Sequence, residues 1–101
     1  MDKIKVSIPD KKLARLCKRY HIRKLAFFGS VLRDDFGPSS DVDVLVEFEE
    51  GHTPGLNFID IQDELSKLLG GREVDLVTPK FLNHRIRNRI LQEARVAYGA
   101  Q

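Results

Sequence analysis

Two stretches, Leu25-Ala26-Phe27-Phe28-Gly29-Ser30-Val31-Leu32-Arg33 and Asp41-Val42-Asp43-Val44-Leu45-Val46, decide how this chain reads. The first ends an apolar run on a glycine-serine turn, and the second begins a new apolar run with two carboxylates. That pattern predicts strand, turn and strand. Alternate side chains of a β-strand share a face, so Asp41 and Asp43 point the same way. Their Cα atoms then lie roughly 6.5 Å apart. Carboxylates at that spacing can converge on two divalent ions about 3.5–4 Å apart, as two-metal phosphoryl and nucleotidyl transfer requires. Like charges gain nothing from proximity unless a cation joins them. The pattern points to metal-dependent chemistry on a nucleotide.

Outward from this centre, the chain reads as an alternation of helices and strands. Leu13, Leu16, Cys17 and Tyr20 follow helical spacing after a start at Ser7 or Asp10 near Pro9. Ile22 to Phe28 is the first strand. A turn or short helix runs from Ser30 to about Asp35, and Gly37-Pro38-Ser39-Ser40 form a loop. Asp41 to Phe48 is the second strand, with Val42, Val44 and Val46 as a β-branched row suited to packing under helices. Thr53-Pro54 begin the next helix, striped by Phe58, Ile61, Leu65 and Leu68 and closed by Gly70-Gly71. Glu73 to Thr78 is the third strand, stopped at Pro79. A last helix from about Phe81 to Tyr98 places Leu82, Ile86, Ile90, Ala94 and Tyr98 four apart. This order predicts an α/β (α+β) sandwich: a small sheet covered by helices. Strand direction is not legible in the pattern.

With 101 residues the chain is long enough for one domain, residues 1–101, with one modest core. A composition 42% hydrophobic and 32% charged is that of an ordinary soluble globular protein. No apolar run approaches the ~20 residues of a membrane span, and the charged start lacks a signal peptide's apolar region. The single Cys17 excludes an internal disulfide, fits a reducing cytoplasm, and sits on the apolar face of a helix as a buried small hydrophobe. A net charge of +2 is too small to imply nucleic-acid binding.

The candidate site residues each have a plainer alternative. Asp41 and Asp43 would also suit the solvent face of an edge strand. Asp75, in Glu73-Val74-Asp75-Leu76-Val77, is either a third carboxylate from a neighbouring strand or an ordinary exposed residue. Gly29 and Ser30 suit phosphate binding by backbone N–H groups at a helix start, or a simple turn with Ser30 as N-cap. No second glycine followed by Lys-Ser or Lys-Thr makes this a Walker loop. Arg33 faces either a triphosphate or solvent. His21, His52 and His84 fall on separate segments without ligand spacing and read as structural or solvent-facing. Arg85, Arg87, Arg89 and Arg95 on the last helix read as a solvated face or as a contact for an acidic partner or RNA, the RNA alternative weakened by the absence of the aromatic residues that base stacking needs.

Gly29-Ser30, ten intervening residues and Asp41-Val42-Asp43 resemble the signature of the DNA polymerase β-type nucleotidyltransferase superfamily. Leu25 to Arg33, Gly71 to Val77 and Ile90 to Gly99 narrow the resemblance to the minimal nucleotidyltransferase (MNT) antitoxins that pair with HEPN-domain toxins. It covers about Leu13 to Gly99. The resemblance implies a mixed sheet. It also implies that Asp41 and Asp43 bind two Mg²⁺ ions gripping ATP, and that Asp75 binds the reactive metal and helps activate the acceptor hydroxyl. Gly29, Ser30 and Arg33 are the nucleotide-binding candidates. The chain is almost wholly catalytic core, so a partner subunit must present the acceptor in a hetero-oligomer. The family partner is a HEPN RNase toxin whose tyrosine receives AMP and is disabled. The rivals are transfer to a small hydroxylated molecule and a non-catalytic antitoxin acting by binding alone. A nucleic-acid module is disfavoured by the weak charge and missing aromatic platform.

Overall fold

The computed structural model describes residues 8–33, 37, 40–52 and 57–99. The expected helix starts at Ser7 and at Thr53-Pro54, the turn's end at Asp35, and Pro38-Ser39 lie outside the described residues.

Helix α1 spans Asp10–Arg19 and begins after Pro9, whose carbonyl accepts from the Leu13 N–H at 2.9 Å. Asp10 in its first turn and Lys18 and Arg19 in its last complement the helix dipole. Leu13, Leu16 and Cys17 form its buried face. Burial pushes the Cys17 thiol up to about 12, as suits a residue used for packing.

Strand β1, Ile22–Phe28, has the expected bounds. A 3-10 turn over Gly29–Leu32 leaves it, and β2 follows over Val42–Phe48. Helix α2, Asn57–Leu68, buries Ile61 and Leu65 and leads to β3, Val74–Val77. Strands β1 and β2 pair antiparallel, whereas β2 and β3 pair parallel. A parallel pair needs a crossover connection, and α2 supplies it. Val42, Val44 and Val46 are fully buried, so the β-branched row does pack into the core. An ion pair of 2.5 Å between Arg19 and Glu64, with the Tyr20 hydroxyl also bonded to Glu64, ties α1 to α2.

The long last helix is not formed. After a 3-10 turn at Pro79–Phe81, helix α3 spans only His84–Glu93, opened by Asn83, whose side chain accepts from the Arg85 N–H at 2.9 Å. Ala94 is extended and strand β4 occupies Arg95–Gly99. It pairs antiparallel with β1, matching Leu25 with Tyr98 and Ala26 with Val96. The sheet order is therefore β3-β2-β1-β4, a mixed sheet as expected, with one strand more.

Pairing explains the difference. Leu25, Ala26 and Phe27 are buried, so an unpaired side of β1 would leave backbone N–H and C=O groups without partners. Arg95 to Gly99 supplies those partners. The four-residue spacing misled because only Ile90 of its stripe reaches the buried class, while Ile86 is 43% exposed. Arg95 belongs to β4 and not to the arginine-bearing helix. Tyr98 packs against the core, as expected, but from a strand.

Candidate active site

The site is built where β1 ends beside the start of β2. Phe28, the last residue of β1, pairs with Asp43, so the turn that follows must pass the Asp43 side chain. Gly29 makes that passage possible. Its φ of +75° lies in the left-handed region, and a Cβ placed there would overlap the Asp43 carboxylate, coming within 3.2 Å of Cγ. Glycine therefore serves two needs at one position: the turn's backbone and room for a carboxylate against it.

Ser30 is not the N-cap that the plainer sequence alternative expects. The backbone cap of the 3-10 turn is Phe28, without a side-chain bond. The Ser30 hydroxyl donates to the Asp41 carbonyl at 3.3 Å, and its backbone N–H bonds to the Asp43 carboxylate. Gly29-Ser30 thus clamps the segment carrying both acids. Arg33 closes the turn by donating its N–H to the Ser30 carbonyl at 2.9 Å, and its charge acts on Asp43.

Asp41 lies one residue before β2 and is exposed; Asp43 is half-buried within it. In the parallel β2–β3 ladder Asp43 is paired in register with Asp75, which is exposed on β3. Neighbouring strands lie about 4.8 Å apart, so the two acids stand side by side. Their electrostatics record the crowding. Burial first, then the charge of Asp75, then that of Asp41, hold the Asp43 carboxyl above its usual range. Arg33 and the Ser30 N–H oppose the shift without cancelling it. Asp43 and Asp75 side by side, with the charge of Asp41 also felt at Asp43, are all-oxygen donors whose chemistry fits a hard divalent cation such as Mg²⁺, although the three acids do not bring their oxygens within 4.8 Å of one another.

A further tie was not legible in the sequence. The Arg72 guanidinium donates to the Gly37 carbonyl at 3.0 Å, linking the approach to β3 with the loop before β2. No described histidine joins the acid cluster. His84 opens α3 and is exposed. His21 and His52, which read as scattered, stack with ring centroids 3.8 Å apart at the opposite end of the β1–β2 pair. Antiparallel pairing of Ile22 with Phe48 brings them together across a separation that spacing rules do not cover.

Comparison with known proteins matches the chain in sequence and in fold. Residues 10–97 match the family described as "Nucleotidyltransferase domain". The protein adenylyltransferase MntA of Thermococcus cleftensis is 42% identical, over 77% of this chain and 77% of its own length. A protein of Methanocaldococcus jannaschii, assigned as a protein adenylyltransferase by inference, is 33% identical over 83% of this chain and 88% of its own. A solved structure of a chain inferred to be a minimal nucleotidyltransferase shares 38% identity and a TM-score of 0.71, covering 85% of this chain and 86% of that one. The fold also matches a toxin-antitoxin structure with AMP-PNP, at TM-score 0.72 and 18% identity, over 93% of this chain and 76% of the other. Among the described residues no helix is long and apolar enough to cross a membrane. A glycine-backed acidic rim on a mixed sheet, matched along nearly its whole length by these relatives, places this chain in the nucleotidyltransferase domain family, among its minimal nucleotidyltransferases.

Proposed function

We propose that this nucleotidyltransferase is the antitoxin of a toxin-antitoxin pair, moving AMP from ATP onto a tyrosine of a cognate HEPN-domain RNase and so silencing it in the cytoplasm. The observation that carries the reading is the in-register meeting of Asp43 with Asp75, beside Gly29-Ser30 and two residues after the exposed Asp41. Relatives named protein adenylyltransferases, and fold neighbours that include a tri-AMPylated HEPN toxin in complex with an MNT antitoxin, support it.

In this reading residues 1–101 act as one domain. Asp41, Asp43 and Asp75 would hold two Mg²⁺ ions. Bound Mg²⁺ would neutralise charge on the triphosphate and pyrophosphate and lower the proton affinity of the acceptor hydroxyl. Gly29 clears the space in which Asp43 sits, and the Ser30 N–H orients that carboxylate. Arg33 adds positive charge beside the triphosphate. The tyrosine oxygen bonds to the α-phosphorus, the α–β bridging P–O bond breaks, and the hydroxyl proton is lost to solvent as pyrophosphate leaves. No histidine is needed. A protein acceptor suits a chain in which nearly every described element builds the sheet and its cover, leaving acceptor placement to the partner.

The test is transfer from α-labelled ATP, with Mg²⁺, to a cognate HEPN-domain protein. Label should appear on a tyrosine and vanish with EDTA. Absence of labelled partner, with free small hydroxylated acceptors labelled instead, would overturn the proposal.

A further inference from the structure

At the far end of the β1–β2 pair, away from the acids, three potential metal ligands meet. Nitrogen or carboxylate-oxygen atoms of His21, Glu49 and His52 all lie within 4.8 Å of one another. The His21 Nδ1 and Glu49 Oε1 atoms are 3.5 Å apart, and the two imidazoles stack at 3.8 Å with planes 14° apart. Six strand steps separate Ile22 from Phe28, so this group stands about 20 Å from the nucleotidyl-transfer site.

The backbone, and not chance contact of long side chains, gathers these residues. The Glu49 N–H donates to the His21 carbonyl at 2.8 Å, and the His52 N–H donates to the Glu49 carbonyl at 3.0 Å. His21 also occupies a costly place. It follows the end of α1 with φ of +58°, the left-handed position where glycine is the usual residue. Its side chain is 50% exposed, so packing does not account for a histidine there. A ligand role does.

We propose that His21, Glu49 and His52 form a second cation site, selective for a late first-row divalent ion such as Zn²⁺ and distinct from the Mg²⁺ site. Two imidazoles with one carboxylate favour Zn²⁺, Ni²⁺ or Cu²⁺ over Mg²⁺, which prefers oxygen alone. Bonds of about 2.0–2.1 Å in tetrahedral geometry need ligand atoms about 3.4 Å apart. Solvent-exposed side chains reach that spacing by rotation about their own bonds. Three protein ligands leave the fourth position to water. The bound ion would join the residues between α1 and β1 to the turn after β2.

The experiment titrates Zn²⁺ into the full chain against a chromophoric chelator, with excess Mg²⁺ present to occupy the carboxylate trio. The wild type should bind one Zn²⁺ per chain. His52→Ala should weaken binding by about tenfold or more, since even outer-shell losses cost 10–100-fold. His21→Gly should do the same while keeping its melting temperature without metal, because glycine accepts the left-handed backbone. Asp43→Asn should bind Zn²⁺ within about twofold of wild type. Zn²⁺ should raise the melting temperature of wild type but not of His21→Gly. The proposal fails if wild type binds no Zn²⁺ under excess Mg²⁺, if both histidine variants bind as wild type does, or if Asp43→Asn abolishes binding.

Discussion

The two ends of the β1–β2 pair collect polar side chains by opposite physical means. At the Phe28–Asp43 end, like charges meet: Asp43 stands beside Asp75, near Asp41, and is partly withdrawn from water. Such a group resists its own ionisation, and the fold holds it there with a glycine that makes room and an N–H that bonds it. At the Ile22–Phe48 end, two imidazoles and a carboxylate meet in solvent, with stacked rings and main-chain hydrogen bonds beneath them. The first end is disfavoured without a cation and favoured with one. The second carries no clash of like charges, and its cost lies in the left-handed backbone of His21. An electrostatically unfavourable cluster held by backbone is the stronger mark of chemistry.

Substitutions that act on one end should leave the other alone, and the largest effect belongs to Asp43. Asp43→Asn should reduce AMP transfer by at least about a hundredfold, measured with labelled ATP. It should also raise the melting temperature at pH 7. The folded chain holds this carboxyl above its usual range, so its contribution to stability is present below about pH 4 and lost as pH rises through the elevated value. The variant should therefore flatten the decline in stability over that window. A lowered melting temperature at pH 7 would mean that Asp43 is a structural acid.

Gly29→Ala should come next, losing transfer because the new methyl displaces the Asp43 carboxylate, with about 1–2 kcal/mol of strain from the left-handed backbone. Full activity in a folded Gly29→Ala protein would break the link between turn and acid. Gly99→Ala offers a contrast on a different strand. Its φ is +101° and a Cβ would overlap the Arg23 carbonyl, so denaturant unfolding should show a loss of about 1–2 kcal/mol with transfer retained at temperatures where the chain stays folded. Smallest of all, His52→Ala should change transfer by less than about twofold, because it lies about 20 Å from the acids.

Much of this arrangement is legible locally. The bounds of β1, the buried stripes Leu13-Leu16-Cys17 and Ile61-Leu65, and the valine row of β2 follow from periodicities that depend only on neighbouring residues. The acid pair is equally local, since Asp41 and Asp43 are two residues apart. Asp75 required the resemblance to the family, because nothing near it in the chain announces a carboxylate partner. The end of the chain went differently. Arg95-Val96-Ala97-Tyr98-Gly99 satisfies a helical spacing and a strand composition together, and the vacancy beside β1 decides between them.

Hydrophobic period and turn chemistry were enough, from the chain alone, to call for helices over a small sheet with a glycine-serine turn and an acidic pair at its rim. Contacts between residues distant in sequence settled the rest: the fourth strand, the Asp43–Asp75 register and the stacking of His21 on His52. Local patterns report which face of an element is apolar, whereas backbone groups in a sheet take their partners from another segment, and only the folded chain specifies which one.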